Sequence, residues 1–546
     1  MARRSDQEDS HGSPPSEQSP LAPDLILLNG KVFTADPACR YVQAIAINGD
    51  RIAAIGTTNE IAATAGARTR RIDIRGGVVV PGFNDAHVHH TPDPRAVVLP
   101  LNTLEPSWEE VLAAVAAAAE EVPKGSWILG THGIGVVNDP RATRFDLDRV
   151  APEHPVRLNA YFGHGSVYNT KAMAALSISD DEPDPLGGCC ERVHGTRRIT
   201  GKLFGYAQWG PWRRLARGVS DEDAIASVQR LAHDAIRFGI TSLQIFALLP
   251  GQYLRVLERA NLPVRVRVIR FPPTNSNSRD LEEGRDLPTR SMANSRITVS
   301  GTKWLLDGTP LERRAAQRRD YRDRPGWKGE SYLPEQEMRA MLRESVESND
   351  PVLVHAVGDW TAETFLNAME AEAKQVDWKP RRARIEHGDG LLPDLITRAR
   401  DLSVIVVQNP SHFAFDDLLK ARYGEPFEYL PARSLIEAGI PFALGSDGPL
   451  NPYMNLMFAA THPARPSEAL TVEQAVEAYT HGAAYGEFEE QNKGTITPGK
   501  LADLAVLSQD IFTMPLGSLP ATESLMTVVG GQIVHNSGLL QVVSSG

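Results

Sequence analysis

The sequence predicts an α/β protein in which a (β/α)8 barrel of the TIM type carries a large insertion after its first strand. A small β-sandwich domain, built from both chain ends, accompanies the barrel. Two observations support this prediction. Short apolar runs alternate with helical patterns through the middle of the chain, which indicates a parallel sheet with right-handed crossovers. Strand-like runs with glycine turns occur at both ends, where they can complete one sheet domain if the middle closes on itself.

The N-terminal part divides into a tail and a sheet. Residues 1–22 are polar and rich in serine and proline, so they cannot bury enough apolar area to order themselves, and we predict a disordered tail. Residues 23–80 contain short β-type runs separated by glycine turns, with a strong hairpin signal at Asn48 and Gly49. Residues 495–546 likewise contain short β-type runs separated by glycine turns. We therefore predict that 23–80 and 495–546 form the sandwich together.

The barrel is predicted between residues 81 and 494. Its strand-like runs end at polar or glycine-rich breaks, and several are separated by helical patterns such as LPEQEMRAMLRESVESN and TAETFLNAMEAEAKQV. Eight strands suit a closed barrel. The stretch of about 90–236 is too long for one crossover, so we expect an insertion that covers the barrel mouth. The eight predicted strands are 78–89, 239–246, 263–271, 297–306, 351–356, 382–387, 404–408 and 441–446.

Composition restricts the classes of function. The 546 residues exceed the roughly 250–300 that one core supports, in agreement with a barrel plus further units. The net charge of −11 argues against a nucleic-acid partner. The sequence has no apolar run long enough to span a bilayer, and no signal-peptide core follows Arg3 and Arg4. Cys39, Cys189 and Cys190 form no zinc-type pairs. We expect a cytoplasmic protein without structural disulfides or membrane contact that acts on a small molecule.

Residues capable of binding a metal lie at the ends of the predicted barrel strands, where active-site groups of such barrels project. His87 and His89 form a His-x-His pair, which places both imidazoles on one face of a strand because side chains alternate. Each candidate alone has a plainer explanation, such as a core histidine, a solvent-facing lysine or a turn aspartate. Their convergence from five strands favours a metal site. The later strands contribute Lys303, His355, His387 and Asp447.

Several motifs extend this pattern along the chain. They are PGFNDAHVHH, HPVRLNAYFGHGSVYNTKAM, ITGKLFGYA, GTKWLLDG, VLVHAVGD, RIEHGD, VVQNPSH, ALGSDGP and GTITPGKLADLAVL. A chain with these motifs resembles the amidohydrolase superfamily, and within it the YtcJ-like branch that includes N-substituted formamide deformylases. The resemblance covers nearly the whole chain from about residue 24. The last motif is similar to the segment in which such chains return to their β domain.

The resemblance implies a site for two divalent metal ions. Lys303 matches a lysine that carbon dioxide carboxylates, and the resulting carbamate can bridge two cations whereas an ammonium cannot bind one. Asp447 would bind the first metal and take a proton from the bridging water. Imidazole and oxygen ligands suit zinc, although iron, manganese and cobalt are compatible. The implied ligands are His87 and His89 for the more buried metal, His355 and His387 for the second, Lys303 for both and Asp447 for the first.

The expected reaction is hydrolysis of a carbon–nitrogen bond of the amide or N-substituted formamide type. A metal-bridging hydroxide would attack the carbonyl, and Asp447 would act first as base and then as acid. His164 and His412 are candidate donors to the oxyanion, although a structural role is equally open for each. Three further residues are candidates for lining the substrate pocket, namely Asn169, Asp307 and Trp360.

Alternative functions remain at this point. The same hydroxide would cleave an ester, a lactone or a carbamate. A hydrolytic deaminase fits less well, because such relatives use one metal and lack the lysine. An inactive scaffold would have lost ligands, and here all of the positions are filled.

Departures from the family pattern concern the substrate. Asn84, Ala86 and the segment TPLERRAAQRRDY leave the metal ligands intact but put the substrate preference in doubt. An arginine cluster in that segment indicates either an acidic substrate or a solvated charged loop. The family also suggests a homo-oligomer such as a dimer.

Overall fold

The structure is a computed structural model that describes residues 22–281, 285–291 and 293–544. The predicted tail lies outside these residues, apart from Ala22. Among the described residues, none of the helices has the length and apolar character that crossing a bilayer requires. The N-terminal elements are β1 (Leu25–Leu28), β2 (Lys31–Phe33), β3 (Tyr41–Val42), β4 (Ala44–Asn48), β5 (Arg51–Gly56), α1 (Thr58–Ala63), β6 (Arg70–Asp73) and β7 (Val78–Pro81).

The next segment contains the first barrel strand and the insertion. The first of its helices begins with a reciprocal capping box formed by Ser107 and Glu110. The elements are β8 (Phe83–His89), β9 (Ala96–Val98), α2 (Trp108–Glu121), β10 (Trp127–His132), α3 (Ile134–Asn138), α4 (Arg144–Val150), β11 (Val156–Ala160), β12 (Ser166–Tyr168), α5 (Thr170–Ala175), β13 (Gly188–Arg192), β14 (Ile199–Gly205) and α6 (Tyr206–Arg217).

The remaining barrel strands alternate with helices, as the sequence pattern predicts. The elements are α7 (Asp221–Arg237), β15 (Ile240–Ala247), α8 (Pro250–Ala260), β16 (Arg265–Arg270), β17 (Ile297–Leu305), α9 (Glu335–Ser348), β18 (Val352–Ala356), α10 (Asp359–Glu372), β19 (Arg384–His387), α11 (Pro393–Asp401), β20 (Ile405–Gln408), α12 (Asp416–Tyr423), α13 (Ala432–Glu437), β21 (Phe442–Leu444), α14 (Pro452–Thr461), α15 (Val472–Glu477) and α16 (Ala483–Tyr485). Short 3-10 helices occur at Pro410–Ala414, Pro466–Glu468 and Leu516–Ala521, and a π-helical turn at Ala478–Gly482.

The C-terminal strands return to those of the N-terminus. They are β22 (Leu504–Leu507), β23 (Ser524–Val529), β24 (Gln532–Asn536) and β25 (Val542–Ser544). One sheet has the order β25-β6-β1-β4-β5, and a second has the order β24-β23-β22-β7-β2-β3. Each sheet thus contains strands from both chain ends. Apolar side chains from both, including Leu25, Ile45, Val79, Leu504 and Val528, form one buried cluster between them.

The barrel is an eight-stranded sheet with the order β21-β20-β19-β18-β17-β16-β15-β8, and its neighbouring strands are parallel. Hydrogen bonds join its first strand to the segment that directly follows its last strand. The Asp447 amide donates to the His87 carbonyl at 2.9 Å, and the Ser446 amide donates to the Asp85 carboxylate at 2.8 Å. The predicted fold class is confirmed, and each of the eight predicted runs overlaps one barrel strand.

One predicted strand needs correction. The run 78–89 is two strands, because β7 pairs with β22 in the sandwich and β8 pairs with β15 in the barrel. Gly82 separates them. A Cβ atom at this position would lie 2.3 Å from the Thr241 side chain, so glycine permits the chain to pass between the two sheets.

The insertion folds as a six-stranded sheet with the order β13-β14-β12-β11-β10-β9. It has its own apolar core, which includes Trp108, Val111 and Ile128. The loop after β11 and the helix α6 both reach the carboxyl end of the barrel, where their side chains form part of one cavity. The insertion therefore covers the barrel mouth, as the sequence predicts.

Candidate metal centre

The predicted metal ligands meet at the carboxyl end of the barrel. His87 and His89 lie at the end of β8, and the others lie within three residues of the ends of β17, β18, β19 and β21. A cavity of about 240 Å³ opens at this point. Its polar end is lined by His89, Lys303, His355, His387 and Asp447.

Asp447 joins two groups of donor atoms. In the first group, its Oδ1 lies 3.4 Å from Nε2 of His87 and 3.8 Å from Nε2 of His89. In the second, its Oδ2 lies 3.9 Å from Nδ1 of His387 and 3.6 Å from Nε2 of His412. The donor atoms within each group all lie within 4.8 Å of one another, a spacing that a single cation can span. The structure thus adds His412, predicted as an oxyanion donor, to the second group.

His355 lies beside the second group rather than within it. Its ring is 4.4 Å from that of His387, centroid to centroid. Its Nε2 lies 3.3 Å from the carbonyl oxygen of Gly308. A carbonyl only accepts, so Nε2 carries the proton and Nδ1 keeps the lone pair that a metal would need.

Lys303 occupies the centre of the predicted ligand set. Its Nζ lies 3.1 Å from Nε2 of His87, and the residue is 1% exposed. Burial lowers the pKa of the Lys303 amine below its usual value, while the carboxylates of Glu386 and Asp447 oppose this shift. A lowered pKa increases the fraction of neutral amine, which is the form that reacts with carbon dioxide. The environment therefore suits the predicted carboxylation.

The imidazoles are in the protonation state that metal binding requires. Burial lowers the pKa of His87, His89, His355 and His387 well below the usual value, so these rings are neutral near pH 7. Nδ1 of His387 is buried and has no hydrogen-bond partner among the described residues. An orphaned buried nitrogen is unfavourable, and a cation in the second group would satisfy it. The donor set therefore fits one or two divalent ions.

Two buried carboxylates behind the centre escaped the sequence analysis. Oε2 of Glu386 lies 2.6 Å from Nδ1 of His87. Asp85 accepts hydrogen bonds from the amides of His87 and Ser446. The available signal was their placement: each stands in a ligand motif, one or two residues before a histidine.

Comparison with known proteins identifies the family. The model of the amidohydrolase family matches residues 70–535 of this chain. The chain belongs to the amidohydrolase family. At this level the predicted class, a metal-dependent hydrolase, is confirmed.

Individual relatives of this amidohydrolase include both proteins that the resemblance suggests. The N-substituted formamide deformylase of Arthrobacter pascens is 27% identical over 93% of this chain and 97% of its own. The putative amidohydrolase YtcJ of Bacillus subtilis is 27% identical over 86% of this chain and 90% of its own. A crystal structure of a metal-dependent hydrolase from Pyrococcus horikoshii is similar in fold, with a TM-score of 0.70 at 20% identity, covering 90% of this chain and 99% of the other.

Of the other predicted site residues of this amidohydrolase, some line the cavity and others do not. His164 lines the cavity, with its ring 4.9 Å from that of His355 and its Nδ1 3.7 Å from Oε1 of Glu312. Asp307 is fully buried and 3.8 Å from Nε2 of His355, but its carboxylate accepts the backbone amides of residues 316, 357 and 358. It therefore supports the loops around His355 instead of lining the cavity.

Asn169 and Trp360 do not reach the cavity of this amidohydrolase, contrary to the expectation from the sequence. The Asn169 amide is buried and accepts from the backbone of Val156 and Ala172 while donating to the carbonyl of His154. Through these bonds the Asn169 side chain caps α5 and holds the segment at the start of β11. Trp360 is 42% exposed in the first turn of α10.

The arginine cluster forms ion pairs. Arg313 pairs with Asp323, Arg314 with Glu330, and Arg318 with both Glu363 and Asp394. These half-buried arginines join the loop that follows β17 to itself and to α10 and α11, and none of the three lines the cavity.

Proposed function

We propose that this amidohydrolase is a metal-dependent hydrolase of carbon–nitrogen bonds, of the amide or N-substituted formamide type. The observation that carries the proposal is the pair of donor groups that share Asp447 at the carboxyl end of the barrel. His87, His89 and Asp447 would hold one cation, and His387 with His355 or His412 a second. A carboxylated Lys303 would contribute to both, and zinc suits these donors.

Bound cations would lower the pKa of a water molecule and polarise the scissile carbonyl. Asp447 is suited to the proton transfers, because its two oxygens face the two donor groups. It would accept a proton from the attacking water and deliver it to the leaving nitrogen. His164 lines the same cavity and would donate to the developing oxyanion.

The cavity wall supports a neutral, apolar substituent on the substrate. Among the lining residues the charged side chains are Lys303 and Asp447, both already assigned to the metal centre. The rest of the wall is largely apolar and comes from the insertion and neighbouring loops. It includes Tyr161, Phe162, Trp209, Trp212, Leu231 and Leu450. Such a wall offers no counter-charge to an ionised substituent.

The test is a hydrolysis assay on metal-free protein and on protein reloaded with zinc in the presence of bicarbonate. The panel pairs N-benzylformamide with N-(4-carboxybenzyl)formamide, which has a similar shape but carries a charge, and adds the corresponding benzyl ester. We expect activity only after reloading, and at least about tenfold higher kcat/KM for the neutral formamide, a difference of about 1.4 kcal/mol. Cleavage of the ester alone would replace the amide assignment by the ester, lactone or carbamate alternative. No cleavage across a wider panel of amides, esters and lactones would favour an inactive scaffold.

A further inference from the structure

Glu386 contacts the back of a predicted metal ligand. Its side chain is fully buried, and Oε2 lies 2.6 Å from Nδ1 of His87. Its strand, β19, is not adjacent to β8 in the sheet, so this contact crosses the barrel interior. The other nitrogen of the same imidazole faces the centre, with Nε2 3.1 Å from Nζ of Lys303 and 3.4 Å from Oδ1 of Asp447.

Arg384 holds the Glu386 carboxylate in place. Its guanidinium donates from Nε to Oε1 and from Nη2 to Oε2, the second at 3.0 Å. It also donates to the carbonyl of Ala86, the residue before His87, and to Oε1 of Gln244 at 2.7 Å. The same arginine therefore fixes both the carboxylate and the backbone that carries His87.

These contacts determine which nitrogen of His87 carries the proton. A carboxylate paired with a guanidinium only accepts hydrogen bonds, so Nδ1 of His87 must be the donor. In a neutral imidazole the proton on Nδ1 leaves the lone pair on Nε2. That lone pair points to the side where Lys303 and Asp447 lie.

We propose that Glu386 is a positioning residue for the metal centre, which fixes the tautomer and ring orientation of His87 so that Nε2 can bind a cation. The inference rests on the proposed function, because it assumes a metal on this side of His87. Second-sphere carboxylates of this kind raise metal affinity by orienting the histidine. Glu386 does so from the opposite wall of the barrel, with Arg384 as its anchor.

The Glu386→Gln variant distinguishes this role from that of an ordinary buried ion pair. Glutamine has nearly the same shape but only one acceptor oxygen, and this oxygen would accept the hydrogen bonds from Arg384. Its amide nitrogen would then donate to Nδ1 of His87 and drive the proton to Nε2. We expect zinc affinity, measured by competition with a chromophoric chelator, to fall about 10- to 100-fold.

The matched control is Gln244→Met, which removes the second side-chain acceptor of Arg384 while Glu386 and its contact with His87 stay in place. Gln244 is equally buried and belongs to the same polar network. We expect this variant to lower the melting temperature while its zinc affinity stays within about twofold of wild type, a difference below 0.5 kcal/mol. Equal losses of zinc affinity in both variants, or no loss in Glu386→Gln, would overturn the proposal.

A measurement on the wild-type protein keeps the inference testable if either variant fails to fold. Nitrogen-15 shifts of the histidine side chains report the tautomer in metal-free protein, with His87 assigned from His87→Gln. We expect the proton on Nδ1, and a proton on Nε2 would overturn the tautomer assignment. Failure of the wild type to bind zinc would overturn the proposed function and this inference with it. Zinc binding that is insensitive to Glu386→Gln would overturn the inference alone.

Discussion

Lys303 places an amine nitrogen among buried imidazoles, where a free ammonium would repel a cation. Its Nζ lies 3.1 Å from Nε2 of His87 and 3.9 Å from the ring centroid of Phe246. Carboxylation would convert this group from a competitor of the metal into a bridging anion. Carboxylation would therefore explain why a lysine stands among the predicted metal ligands, where an anionic oxygen ligand is needed.

The Lys303→Ala variant should lose metal and activity together. We expect zinc binding to weaken and kcat to fall by more than about 100-fold, because a ligand to the centre is removed rather than a supporting residue. Short carboxylic acids such as propionate should restore part of the activity by occupying the space left by the side chain. Full activity of Lys303→Ala without any addition would rule out the carboxylated lysine.

At the residue scale the predicted ligands were accessible to sequence reasoning because each stands at the end of an apolar strand. The sequence places Glu386 beside His387, but its contact with His87 could not be predicted, because His87 is 299 positions away and only the closed barrel brings them together. Asn169 is the reverse case, a residue that the sequence suggested for the substrate pocket and that the structure places away from the cavity. A polar residue in a motif beside His164 is compatible with substrate binding or with capping, and only its hydrogen-bond partners decide.

At the element scale the insertion shapes the apolar side of the cavity. Gln208 on α6 accepts the amide of Gly165 at 2.7 Å and thereby holds the loop that carries His164. Asn169 caps α5 and fixes the turn before β11. The sequence predicts that a covering unit exists, because the length of the stretch requires it. Its strand order depends on non-local pairing that local patterns do not encode.

Replacement of Asn169 by alanine should affect stability and leave catalysis unchanged. The variant leaves buried backbone groups without partners, so we expect the free energy of unfolding to fall by about 1–3 kcal/mol. The kcat/KM of the folded enzyme should stay within about twofold of wild type. Asn138→Ala is the control, since Asn138 is exposed in the same insertion and should change stability by less than about 0.5 kcal/mol. Unchanged stability with a tenfold rise in KM would restore Asn169 as a substrate-binding residue.

At the scale of the whole molecule the metal centre joins strands that are far apart in sequence. Its predicted ligands come from β8, β17, β18, β19 and the segment after β21, so a bound cation would connect both ends of the barrel sheet. The barrel was predictable from alternating strands and helices, and the sandwich from similar runs at both chain ends. The division of 78–89 was not, because Gly82 alone lies between β7 and β8 and its role depends on its contact with Thr241.

Removal of the metal should therefore destabilise the whole protein. A ligand present at 1,000 times its dissociation constant stabilises the folded state by about 4 kcal/mol, so chelation should lower the melting temperature by several degrees. Differential scanning calorimetry with and without a chelator measures this effect. The Asp447→Ala variant should melt at nearly the same temperature in both conditions. A wild-type melting temperature that does not respond to the chelator would argue against a metal held between strands.

The most direct test of the central claim is the metal content of the purified protein, measured by elemental analysis on wild type and on Asp447→Ala. The metal-dependent hydrolase account predicts about two divalent ions per wild-type chain, and a lower content with loss of hydrolysis in the variant. Wild-type protein that contains no metal, and takes none up from zinc or manganese with bicarbonate, would contradict it.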